Sequence, residues 1–144
     1  MAITSAVCNS FKVEILTATH DFTASTGNTF NLALYTSSAT LNKSTTVYTT
    51  TEELATTGGY TAKGKALTSV TPVLSTDTAV CDFSNISWTS ASFTANGCLI
   101  FNDTATGDPA CCAIAFGGDK TVTSGTFTVE FPAAAASTAI IAIA

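Results

Sequence analysis

The 144-residue chain is 46% apolar and only 10% charged, with five Lys, ten acids, no Arg and a formal net charge of -5. That length fits a single domain, 1-144, long enough to bury a core without a disulfide or metal staple. Nucleic acid is excluded as an expected partner, because phosphate contacts dominate such binding and Arg is their usual fork. Disorder is excluded by the pairing of high hydrophobicity with low charge. No membrane partner is expected either, since no run approaches 18 consecutive apolar residues. Hydroxyls replace charge: 29 Thr and 14 Ser predict a neutral, Thr-rich surface.

The first element is an expected helix over 4-16. Val7, Phe11 and Ile15 recur at helical spacing, Thr4 or Ser5 is available as a cap, and Asn9, Ser10, Lys12 and Glu14 fall on the solvent side. Residues 17-28 read as a loop. From 29 to 144 strand patterns dominate. Thr29 to Thr36 alternates Phe30, Leu32 and Leu34 with Asn31, Ala33 and Tyr35, so one face is buried. Thr45 to Thr51, a Thr run around Val47 and Tyr48, reads as a strand because Thr is stiff at χ1. Glu52-Glu53-Leu54 reads as one helical turn, and Ala62 to Lys65 as loop. Ala66 to Leu74 is an edge or bent strand on account of Pro72.

Thr78 to Ser84 alternates again, and Ile86 and Trp88 continue the period. Ser92 to Asn102 is the longest expected strand, with a bulge at Gly97. Asp103 to Pro109 is a turn. Ala110 to Phe116, almost wholly apolar, predicts a central strand buried on both faces. Gly117-Gly118-Asp119 is expected to reverse the chain, with Lys120 to Ser124 as a connector. Thr126 to Phe131 is a further strand ended by Pro132, and Ala139 to Ala144 a terminal strand tied into a sheet. The sum is an all-β fold: an antiparallel jelly-roll-like sandwich of about eight strands with one short N-terminal helix. The first residues lack the basic start and long apolar core of a signal peptide, which predicts synthesis in a cytoplasm.

Chemical motifs are sparse. Cys8, Cys81, Cys98, Cys111 and Cys112 show no CxxC spacing, so five reduced, buried thiols are expected, with no metal and no cofactor. His20 beside Asp21 is the only His–acid neighbourhood. With Cys8 it is the only candidate for a Cys–His pair, and its expected role is that of a plain polar residue. Glu52, Glu53, Asp103, Asp108 and Asp119 are read as solvated turn acids, because no D-x-D-x-D-G loop is present. Tyr35, Tyr48, Tyr60 and Trp88 have the chemistry to stack on sugars, but their spacing does not place them on one face. No catalytic residue is expected, and the chain reads as a non-enzyme.

Several collinear stretches carry a resemblance. They are Ser10 to Leu16, Thr19-His20-Asp21-Phe22, Asn28 to Leu41, Gly59-Tyr60-Thr61-Ala62, Phe93-Thr94-Ala95, Gly97 to Asn102, Phe116 to Lys120 and Phe127 to Pro132. Together they resemble small virion structural proteins of tailed bacteriophages, and within that group the capsid cement (decoration) proteins of short-tailed phages. One departure is Asn96 before Gly97, where a basic or small residue is expected. The resemblance implies a protein that decorates the outer capsid shell, clamps adjacent capsomers of a major capsid protein and stabilises the head. It implies a homodimer or a trimer on the virion surface, assembled in the host cytoplasm. The alternative it leaves open is a tail or fibre component, including a sugar-binding host-attachment module. Self-association is expected through Phe11 and Ile15 of the helix and Ile140, Ile141 and Ile143 of the tail.

Overall fold

The computed structural model describes residues 2-144; Met1, the first residue of the expected domain, lies outside them. The chain is mostly β, with one short helix and two antiparallel sheets. The elements are β1 (Ala6–Val7), α1 (Asn9–Leu16), β2 (Phe30–Tyr35), β3 (Lys65–Ala66), β4 (Ser69–Ser75), β5 (Thr78–Phe83), β6 (Ile86–Asn102), β7 (Ala110–Val129) and β8 (Ile141–Ile143). One sheet has the order β1-β7-β6-β2-β3 and the other β4-β5-β8.

The helix begins later than its periodicity suggests. Ala6 and Val7 pair with Ala113 and Cys112, and the N–H of Cys8 bonds the carbonyl of Cys111. A distant strand therefore captures residues that local pattern assigns to the helix. Neither Thr4 nor Ser5 caps it; Cys8 takes the N-cap position without a side-chain bond. At the other end the N–H and hydroxyl of Thr17 both reach the carbonyl of Glu14, closing the last turn.

The first sheet is organised by the β6–β7 hairpin. Strand β2 lies along the upper half of β6, from Phe30 opposite Asn102 to Tyr35 opposite Gly97. The bulge at Gly97 is present: the register shifts between Ala95 and Gly97. A Cβ there would press on the Ile114 carbonyl and the Ile3 side chain, so only glycine fits. Across this bulge two residues of β6 advance against five of β7, from Gly97 opposite Ala115 to Ala95 opposite Lys120.

Hence Gly117-Gly118-Asp119 does not reverse the chain. The two glycines, at φ 75° and 138°, absorb an outward loop inside one strand. The expected connector 120-124 and the expected strand 126-131 are the continuation of β7, which runs unbroken to Val129. Below the bulge, β6 and β7 form a two-stranded ribbon beyond the reach of β2.

Other boundaries moved as well. Residues 45-51 are not a strand; Val47 makes a single bridge to Pro109 and the rest wraps round as turns. Glu52-Glu53-Leu54 is a turn and not a helical one, and Lys65 begins β3 instead of ending a loop. Strand β4 does bend at Pro72, where its register with β5 shifts between Val70 and Val73.

The two sheets share a core. Phe30, Leu32, Leu34 and Ile100 of the first sheet and Cys81, Phe83 and Ile141 of the second belong to one buried cluster. Phe22 stacks on Phe30 with centroids 4.2 Å apart, and Phe83 meets both rings at about 6 Å. Helix α1 buries Phe11 against this cluster and closes one end.

Candidate functional site

The five residues expected to drive self-association fall close together, in two unequal groups. Phe11 and Ile141 are core residues, 2% and 4% exposed, and serve as anchors. Ile15 and Ile143 line a cleft of about 350 Å³ with Val7, Lys12, Leu16 and Ala142, between α1 and β8. Ile140 lines an adjoining cleft of about 430 Å³ with Ile114, Phe116, Phe127 and Phe131, along the ribbon. The most exposed apolar side chain is Leu16, at 87%, followed by Leu74 at 71%. Sequence reasoning missed Leu16, although it continues the apolar run that ends the helix. This open end between the sheets is the apolar surface of the molecule.

Beneath it lies a buried polar group that no local pattern announces. His20, buried, sits with Nε2 2.7 Å from Glu14 Oε2 and Nδ1 3.1 Å from Asn102 Nδ2. Asn102 Oδ1 accepts the backbone N–H of Thr104 and of Ala105, which fixes the amide so that Nδ2 donates. His20 Nδ1 is therefore the acceptor, and Nε2 carries the proton toward Glu14. Asn102 Nδ2 also bonds Asn28 Oδ1 at 2.9 Å, tying the 17-28 loop to the end of β6. Glu14 thus turns inward to His20, contrary to the expectation that it faces solvent.

This constellation is not a nucleophile pair. The thiol near His20 is Cys111 at 3.9 Å, and not Cys8. Burial pushes the Cys111 thiol well above its ordinary range, with Cys112 and Cys8 adding to the effect. Burial also raises Cys98 well above that range. It raises Cys8 to about 11, with Glu14 contributing, and Cys81 and Cys112 to about 12. Thiols held neutral in this way are poor nucleophiles. All five cysteines are free and buried, as expected from their spacing.

A second polar cluster fastens the 48-63 loop. Glu53 accepts the hydroxyls of Tyr48 and Tyr60 and the N–H of Lys63, while Tyr60 Oη accepts the N–H of Leu34 in β2. Burial followed by contact with Glu53 raises Tyr48 to about 12. Lys63 Nζ lies 2.9 Å from Asp103 and 2.8 Å from Asp108, joining the loop to the β6–β7 turn. Glu52, at φ 61°, bonds Thr36 instead. These acids are clamps between loops, more than solvated turn residues.

The aromatic residues weighed as sugar platforms are placed otherwise. Tyr35, Tyr60 and Trp88 are buried, and only Tyr48 reaches the surface in part. Trp88 is covered by Tyr60, Phe93 and Phe127, with Lys65 Nζ 5.9 Å from its ring centre.

Among the described residues no three His, Cys, Asp or Glu side chains are placed to hold a metal ion, and no helix is long and apolar enough to cross a membrane. No protein-family model, curated protein or solved structure matches the chain.

Proposed function

We infer that the chain is a non-enzymatic virion structural protein of the capsid cement kind, seated on the outer shell of a tailed phage and clamping neighbouring copies of a major capsid protein. The observation that carries this reading is the apolar open end of the two sheets, where Leu16, Ile15, Ile143 and Ile140 gather beside a surface almost devoid of charge. Exposed apolar patches rimmed by polar residues mark interaction surfaces. Low charge lets many identical copies crowd a shell without mutual repulsion. Many weak contacts then act together through avidity.

The jelly-roll-like sandwich is the finer part of the same proposal. Two antiparallel sheets around one core support a sandwich, although β6 and β7 are hairpin neighbours within one sheet. Self-association into a homodimer or trimer uses Ile15 and Ile143, with Phe11 and Ile141 holding them in place. Assembly takes place in the host cytoplasm.

The test is a capsid-binding assay. Preformed capsids lacking the protein should take it up and then resist heating to a higher temperature. Gold labelling of the virion at the tail, with the head unlabelled, would replace this reading by a tail or fibre role.

A further inference from the structure

The lower part of β7 presents an edge that natural sheets seldom leave open. Residues 121-129, Thr-Val-Thr-Ser-Gly-Thr-Phe-Thr-Val, contain no charge and no Pro. Among the described residues their main chain is hydrogen-bonded on the β6 side alone; β1 covers β7 only at Cys112 and Ala113. An uncharged edge of this length is a template for another strand, and proteins normally blunt or cover it.

The faces of the ribbon restrict what can cover it. Val122 lies opposite Phe93 and Phe127 opposite Trp88 on the apolar face, where the rings of Trp88, Phe93 and Phe127 meet. Thr121 bonds Thr94 and Thr128 bonds Ser87 on the other face. Between these flat runs sits a bulge, with Ser124 at φ 47°. The edge is bounded by one cation, Lys120, and one anion, Glu130, both exposed.

We propose that this edge pairs antiparallel with the same edge of a second copy of the chain, about a two-fold axis at the Ser124–Gly125 bulge. In that register residues 120-123 oppose residues 126-129 of the second copy. Val122 then faces Phe127, Thr121 faces Thr128, and bulge meets bulge. Lys120 of each copy arrives beside Glu130 of the other. A parallel arrangement would set Lys120 on Lys120 and Glu130 on Glu130. The edge is thus self-complementary in shape, polarity and charge, which is the requirement of an isologous interface.

This pairing stands apart from the capsid reading, since it requires only the purified chain. The experiment combines light scattering across a concentration series with amide hydrogen exchange. The expected result is a dimer in which protection of 121-129 rises with protein concentration. Lys120→Glu and Glu130→Lys should each weaken the dimer about tenfold, and the double swap should restore it to within about twofold. Both positions are exposed, so the variants fold. A monomer at every concentration, protection elsewhere in the dimer, or failure of the double swap to rescue would each overturn the pairing. Loss of capsid binding by a chain that still dimerises would count against the cement role alone.

Discussion

Asn102 and His20, 82 positions apart in the chain, meet in the core with the Asn102 amide donating to His20 Nδ1 at 3.1 Å. The contact fixes the imidazole tautomer and closes two loops at once. Replacing Asn102 by Ala strands His20 Nδ1, Asn28 Oδ1 and the N–H groups of Thr104 and Ala105. Each unpaired buried group costs about 1–3 kcal/mol, and partial access of water reduces the sum to about 2–4 kcal/mol. The urea midpoint should fall accordingly with the slope unchanged. His20→Phe should cost less, because Glu14 is freed to solvent and Asn102 keeps Asn28.

Alkaline stability should depend on the buried thiols. Cys8 is raised from 9.0 to about 11, and Cys81 and Cys112 to about 12, chiefly by burial. Between the two sets of values the unfolded chain loses thiol protons that the folded chain keeps. Stability is therefore fully present below about pH 9 and declines as pH rises toward 12. Tyr48 moves in the same direction. Thermal unfolding recorded from pH 7 to 11 should show this decline, and Cys8→Ala should make it shallower. A thiol reagent at pH 8 should label the five cysteines only after denaturation.

The two polar clamps should differ in strength. Lys63 and its two aspartates are substantially exposed, so Lys63→Met should cost less than about 1 kcal/mol and lose even that effect in high salt. Tyr60→Phe removes the acceptor of the buried Leu34 N–H and one donor to Glu53, so it should cost about 1–3 kcal/mol. Calorimetry on the two variants would separate them; equal losses would contradict the assignment.

Surface and anchor residues at the open end should likewise separate. Leu16→Asp and Ile143→Asp alter side chains that are 87% and 53% exposed, so folding stability should change by less than about 0.5 kcal/mol while shell binding is lost. Ile141→Ala should instead destabilise the fold by about 2–5 kcal/mol, because Ile141 fills space beside Phe22 and Cys81. Retained shell binding in Leu16→Asp would remove the apolar end from the contact.

Local pattern was informative where a strand's neighbours do not matter. The alternation of Phe30, Leu32 and Leu34 located β2 to within a residue at each end, and Thr78 to Phe83 emerged in the same way. Gly97 announced its bulge. Gly117-Gly118 misled, because glycine permits the same backbone in a chain reversal and in a bulge that keeps direction. Only the pairing of Ala95 with Lys120 separates the two. The helix start was hidden for a related reason: Ala6 and Val7 have helical spacing, but Cys112 and Ala113 claim their backbone. The apolar tail did place Ile141 and Ile143 beside the helix. The Glu14–His20–Asn102 group had no local signature, since each member is an ordinary polar residue until the fold brings the three together.

The hydroxyl ladders on the ribbon bear on hydration. Ser87 with Thr128 and Thr94 with Thr121 satisfy each other across the strands at 2.8 Å. Water leaving that face abandons few hydroxyls that lack a protein partner, and the threonine methyls present a dry, finely corrugated relief. Such a surface can be wetted or dewetted at small free-energy difference, which suits a protein that must be soluble when made and sealed against neighbours afterwards.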